Sequence, residues 1–165
     1  MNREILFRGK RVDNGEWIYG YLVADTADCS LKKVGKCVCK HDGTDAEIWT
    51  WRDDYHEYDS FVVDADTVGQ YTGLTDKNGL PVYESDILFD EFGENYCVVK
   101  FGKYASPMGS DRFTANIGFY TAWIGKHKDL LRQDIGYWLG AMKETTRVVG
   151  NIHDNQDLLQ NKGEG

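Results

Sequence analysis

Cys37-Val38-Cys39-Lys40-His41 places three soft ligands at every second residue. An extended chain would turn all three to one face. Together with Cys29 they would satisfy a zinc ion chemically. The spacing is not that of a CxxC knuckle, however, and Asp42-Gly43 starts a turn signal right after His41. Free thiols are the usual state in a reducing compartment, so the group reads as unmetallated. A second candidate is acidic: Asp53, Asp54, Glu57 and Asp59, followed by Asp64 and Asp66. Clustered carboxylates hold Mg²⁺ or Ca²⁺, but EF-hand spacing is absent and such runs are ordinarily solvated. Cysteine nucleophiles need an adjacent base. None of His41, His56, His127 and His153 sits in a local signature of that kind. His153 follows an apolar strand and reads as structural or surface. No phosphate-cradling glycine loop is present. No catalytic residue, cofactor or metal is expected from these patterns.

Composition narrows the partners. The chain has 165 residues, 19 Lys and Arg against 27 Asp and Glu, and a net charge of -8. Non-specific nucleic-acid binding comes mostly from cations on phosphates, so a broad nucleic-acid surface is not expected. Arg3, Arg8, Lys10 and Arg11 cluster near the start and read as solvent-facing. Hydrophobic content of 41% with 13% aromatics supports a folded core rather than disorder. No apolar run reaches the roughly 18–20 residues that span a bilayer, and the first residues lack a signal-peptide core. A cytoplasmic protein is expected.

The elements that position these residues are strands. Asp13-Asn14-Gly15, Asp42-Gly43, Asp76-Lys77-Asn78-Gly79 and Glu91-Phe92-Gly93-Glu94 each lie between β-branched and aromatic runs. Such turn sequences supply the positive φ of tight hairpins. Their short spacing predicts an antiparallel β protein. Trp17, Tyr19 and Tyr21 alternate with Ile18, Gly20 and Leu22. Val98 alternates with Cys97 and Val99 in the same way. Phe113, Ala115, Ile117, Phe119 and Thr121 share one face of a later strand, opposite Tyr120, with a bulge or bend expected at Gly118. Trp49, Trp51, Trp123 and Trp138 would suit a stacking surface, but aromatics alternating on strands are more often core, and they read as core. Helix is scarce. A short helix is predicted near Asp129–Gln133, followed by irregular or extended chain over Ile135–Leu139. Asn155 is a candidate N-cap for a last helix over Gln156–Gln160, with Asp157 in its first turn.

Three stretches then resemble a known family. Arg3-Glu4-Ile5-Leu6-Phe7-Arg8 opens the chain. Gln70-Tyr71-Thr72-Gly73-Leu74-Thr75-Asp76-Lys77-Asn78-Gly79 continues into Val82-Tyr83-Glu84-Ser85-Asp86-Ile87. Val148-Val149-Gly150-Asn151-Ile152-His153-Asp154-Asn155-Gln156-Asp157-Leu158-Leu159 closes it. In this order they are similar to the YopX family of bacteriophage and prophage proteins. Ser85 stands where that pattern has Gly, and Gln156 where it has Pro. The resemblance implies a mainly β fold of antiparallel hairpins, with an SH3-like barrel in the C-terminal part and a short C-terminal helix. It implies self-association and brings no established activity. The motif residues to examine are Asp76, Asn78, Gly79, Tyr83, Glu84, Asp86, Asn151 and Asn155.

The organisation expected is an N-terminal hairpin region over 1–75, a barrel region with its helix over 76–160, and a frayed tail over 161–165. Val148, Val149 and Ile152 should end the second β unit, with Leu158 and Leu159 packing back on it. The function expected is a non-enzymatic, self-associating interaction module, a homo-oligomer with a host or phage protein as further partner. A nucleic-acid-associated or DNA-mimicking protein is the alternative. An enzyme using the acidic segment or the Cys/His group is a third reading.

Overall fold

A computed structural model describes residues 5–23, 45–52, 56–107, 113–125, 132–142 and 144–160. The fold is mainly β, built from antiparallel hairpins, and ends in a short helix. It divides into two compact units, Met1–Gln70 and Tyr71–Gly165.

The first unit is a curled sheet. Strand β1 (Phe7–Lys10) turns through Asp13-Asn14-Gly15 into β2 (Trp17–Val23), with Phe7 opposite Gly20 and Lys10 opposite Trp17. β2 pairs with β3 (Asp45–Arg52), and β3 with β4 (Glu57–Asp64) in an unbroken eight-residue register. β5 (Gly69–Thr75) begins in this unit, with Gly69 and Gln70 opposite Arg8 and Phe7. An antiparallel bridge between Arg11 and Val63 brings β4 back to the end of β1. Val12 N–H donates to the Val62 carbonyl there at 3.2 Å. Ile48 and Val63, both fully buried, fill the inside of the curl. The alternation expected in β2 holds: Tyr19 and Tyr21 are exposed, and Gly20 is buried.

In the second unit, the rest of β5 makes a hairpin with β6 (Pro81–Tyr83). Its turn is Asp76-Lys77-Asn78-Gly79, where Gly79 takes φ 82, a conformation costly for a side chain but free for glycine. β7 (Asp86–Asp90), β8 (Asn95–Pro107), β9 (Phe113–Trp123), β10 (Gln133–Asp134) and β11 (Thr146–Asn151) form a second sheet in the order β10-β9-β8-β7-β11. Among the described residues no pairing joins β10 to β11, so this sheet is open and an SH3-like closure is not seen. Val82, Leu88, Cys97, Val99, Phe119, Ile135, Trp138 and Leu139 make its core. Trp123 meets Trp138 edge-on at 4.9 Å between centroids. Each such side chain contributes roughly 1.5–3 kcal/mol on burial.

Four expectations are corrected here. First, Ile135–Leu139, expected as irregular or extended chain, is instead part of helix α1 (Ile135–Ala141). Asp134 caps it, its Oδ1 accepting from Tyr137 N–H at 3.0 Å. Ile135, Trp138 and Leu139 bury one helical face, and this outweighs the roughly 1 kcal/mol cost of each of Gly136 and Gly140. Of the helix predicted over Asp129–Gln133, residues 129–131 lie outside the described residues, and Gln133 is in β10 opposite Thr121. Second, no bulge occurs at Gly118, which sits opposite Gly102 in a continuous β8–β9 register. Third, Arg8, read as solvent-facing, is buried, with its guanidinium 4.7 Å from the centre of the Trp17 ring. The shared face of β9 changes environment along the strand. Ile117 is 70% exposed where β8 and β9 run on as a two-stranded ribbon, whereas Phe119 is buried. Fourth, Trp49 and Trp51 are exposed, unlike Trp123 and Trp138. Helix α2 (Gln156–Gln160) forms with Asp157 in its first turn. Leu158 and Leu159 are half-buried.

Candidate interaction surface

The motif residues of the second unit are brought together around β11. Asp76 is buried, and its carboxylate accepts three backbone N–H groups: Asn78 at 2.8 Å and Leu80 at 2.9 Å on Oδ1, and Val148 at 3.0 Å on Oδ2. Lys77 N–H adds a bond to the Thr146 carbonyl at 3.0 Å. Asn78 and Gly79 themselves lie exposed at the turn.

The second turn is Tyr83-Glu84-Ser85-Asp86. Tyr83 is buried against Tyr71, with centroids 5.4 Å apart. Buried Asp86 accepts from Tyr83 N–H at 2.8 Å. Glu84 Oε1 accepts from Phe101 N–H at 3.3 Å. Ser85 takes φ 70, which explains why glycine is the usual residue at this place in the resembling pattern. Ser85 N–H donates to the Val99 carbonyl, and its own carbonyl accepts from Ile152 N–H at 3.0 Å.

The third motif closes the strand. Asn151 Oδ1 accepts from His153 and Asp154 N–H at 2.9 and 3.0 Å, and its Nδ2 donates to Asp154. Asn155 Oδ1 accepts from Asn151 N–H at 3.1 Å. The expected cap is therefore corrected: the Asn155 side chain serves the preceding turn, and its backbone carbonyl accepts from Leu158 N–H. Buried Asp90 follows the same rule, taking Phe92 and Gly93 N–H and the Thr145 hydroxyl. These carboxylates are acceptors for backbone donors, which is how buried acidic groups are tolerated.

Little here resembles a reacting constellation. Cys97 is buried, and burial followed by the nearby Asp90 charge pushes its thiol up to about 12, the opposite of an activated nucleophile. No three His, Cys, Asp or Glu side chains among the described residues converge as metal ligands. Cys29, Cys37, Cys39, His41 and His127 lie outside the described residues, as do Asp53 and Asp54. Asp64 caps a 3-10 turn over Ala65–Thr67 through Asp66 N–H, and Asp59 pairs with Arg52 at 3.3 Å.

The surface that stands out contains Trp49 and Trp51 of the stacking set weighed above, without Trp123 and Trp138. Alternation in β2, β3 and β4 turns Tyr19, Tyr21, Trp49, Trp51 and Tyr58 to the same outer face of the first unit, at 38–51% exposure. Val23 and Val62 join them. These are seven of the fourteen exposed large apolar side chains among the described residues. Trp51 and Tyr58 meet edge-on at 4.9 Å, and Trp49 lies 6.1 Å from Tyr58. Trp49 Nε1 donates to Glu47 at 3.0 Å. Contiguous apolar surface of this kind marks contact sites in soluble proteins. The signal was present in the sequence, as two aromatic alternations, but which face each turned outward depended on the register.

Fold and site together define a mainly β chain whose acidic and amide motif residues are architectural and which turns half of its exposed large apolar side chains, among the described residues, to one sheet face. The chain belongs to the YopX family: the family model for the YopX protein matches residues 6–160. A solved structure, protein EF1440 from Enterococcus faecalis, is similar at 18% identity, covering 96% of this chain and 100% of that one, with a TM-score of 0.43. No curated protein matches the chain. No helix among the described residues is long and apolar enough to cross a membrane.

Proposed function

We propose that the chain is a protein-interaction module without chemistry of its own, and that the aromatic face of β2, β3 and β4 is its contact surface. The concentration of Tyr and Trp on that face supports the reading, because these residues are enriched at the centres of protein interfaces. The motif carboxylates add to it, since they are spent on backbone N–H groups. Such a module would serve a phage or host assembly in the cytoplasm and need no cofactor.

Stacked aromatics also bind single-stranded nucleic acid when cations accompany them. A net charge of -8 opposes that use. The decisive experiment is a mobility-shift assay with short duplexes and single strands at low salt, where electrostatic binding is strongest. No shift is expected. A shift that Trp51→Ala abolishes would make the face a base-stacking platform and overturn the reading.

A further inference from the structure

We propose that the outer edge of β4 is a docking site for an extended peptide in which apolar and basic residues alternate. The inference rests on the protein-binding reading above and names the class of partner for the border of the same surface. β4 ends the first sheet, beyond β3. Its Val62 carbonyl accepts from Val12 N–H, which fixes the alternation of the strand. Even-numbered residues turn their N–H and C=O groups outward, and odd-numbered ones turn theirs to β3. After Val12 the Asp13-Asn14-Gly15 turn carries the chain away. Tyr58 and Ser60 are left, among the described residues, with no backbone partner on the outer side. An extended segment laid there pairs with those groups and continues the sheet, as in other cases of strand addition.

The flanking side chains select the occupant. A residue opposite Tyr58 or Ser60 shares their face, where Tyr58 is 51% exposed and Val62 lies beside it, so an apolar side chain covers them. Its neighbours in sequence fall on the other face, beside Glu57, Asp59 and Phe61. Arg52 is the one cation among the described side chains of β3 and β4, against Glu47, Glu57, Asp59 and Asp64. It is already paired with Asp59 at 3.3 Å. Lys10 lies across from Asp64 at the bridged end, so the negative excess of the edge falls at its open end, on Glu57. A lysine or arginine there meets that carboxylate on a chain of net charge -8, which steers a basic segment to the edge. A second copy is a poorer fit. Antiparallel pairing of two β4 edges sets Glu57 and Asp59 of one against those of the other, and like charges placed opposite are unfavourable.

Fluorescence anisotropy with a short, end-capped, labelled peptide of alternating valine and lysine tests this at low salt. The peptide should bind, and added salt should weaken it. Methylating every backbone nitrogen of the peptide removes its donors and should weaken binding about tenfold or more. A block peptide with the same composition, valines first and lysines after, should also bind about tenfold more weakly. Ser60→Pro removes an N–H at an edge position, where proline is tolerated, and should lower affinity about tenfold with the melting temperature nearly unchanged. Glu57→Lys should weaken the lysine peptide and favour one of alternating valine and glutamate. No binding of the parent peptide up to about 1 mM, or equal binding of the methylated or block peptide, overturns the proposal. So does pairing of the chain with itself, seen by light scattering and abolished by Ser60→Pro, which would make a second copy the occupant. If Ser60→Pro does not fold, the methylated peptide decides with the wild-type chain alone. Failure here leaves the mobility-shift result, which judges the protein-binding reading, untouched.

Discussion

Gly150 and Asn155 fit so closely that a β-carbon on Gly150 would lie 2.2 Å from Asn155 Oδ1. That oxygen is held in place by Asn151 N–H, so it cannot swing away without losing a bond. Gly150→Ala should therefore destabilise the chain by about 1–3 kcal/mol, the usual cost of overpacking. Neighbours in contact are non-additive. Gly150→Ala in an Asn155→Ala background should cost less than in the wild type, read from thermal unfolding of all four proteins. Equal costs in both backgrounds would dissociate the two residues.

Asp76 ties its own turn to β11. Asp76→Ala strands three N–H donors, and each buried donor left unsatisfied costs about 1–3 kcal/mol. The loss should reach about 3 kcal/mol or more, a large share of a total stability of roughly 5–15 kcal/mol. Asp76→Asn keeps one acceptor oxygen and should fall between. Asn78→Ala, at the exposed part of the same turn, should melt close to wild type. Coincident melting of Asp76→Ala and Asn78→Ala would contradict the hub role.

Glu91 gives a small acid dependence. Lys77 first, and then Arg147, hold its carboxyl below the ordinary value of 4.5. A group with a lowered folded value stabilises the fold at higher pH, and that contribution disappears as pH falls through the folded value. The group is at the surface, so salt should screen the effect. Glu91→Gln should flatten the slope of stability against pH below about 4.5 at low ionic strength. At high salt the variant and wild type should run parallel. A slope unchanged by the substitution at low salt would assign the acid sensitivity elsewhere.

Cys97 should be silent to thiol reagents in the folded chain. Its folded value is raised to about 12 from an ordinary 9.0. Its contribution to stability is therefore complete below pH 9.0 and declines only as pH climbs toward the folded value. Alkylation followed by peptide mapping should leave Cys97 unmodified at neutral pH and label it once denaturant is added. Labelling in the native protein at the rate of an exposed thiol would contradict the burial.

Hairpins were readable because their turns are chemically explicit. Asp13-Asn14-Gly15 and Asp76–Gly79 carry glycine where φ is positive, whereas in Glu91–Glu94 the positive φ falls on Glu94 rather than Gly93; strands lie on both sides of all three. The C-terminal helix was readable for a similar reason, since Asp157 and the paired leucines mark it. Helix α1 was not, because its glycines argue locally against helix and only the burial of Trp138 and Leu139 in the second unit overrides them. The aromatic face was legible as alternation, and as a surface only in the stacking set that includes Trp49 and Trp51. Period two says which residues share a side, and the register with β3 and β4 then decides which side faces water. Asn155 shows a further limit. A cap and a turn acceptor use the same oxygen, and the sequence does not say which N–H reaches it first.

The bond between Asp76 and Val148 spans 72 residues, and this sets an order of assembly. β7, β8 and β9 are joined through successive hairpins, so their contacts close short loops and form early. β11 must return past all of them to reach both β7 and the Asp76 turn, against a larger loop-closure entropy. During synthesis the hydrogen bonds to β11 have no partner until the final strand leaves the ribosome. Asp76 Oδ2 faces water until then, and β7 presents a bare edge. The C-terminal strand is thus the latch of the second unit. A nascent chain halted before Thr146 would hold a formed meander with one side open to mispairing, the point at which a chaperone or a neighbouring chain would intervene.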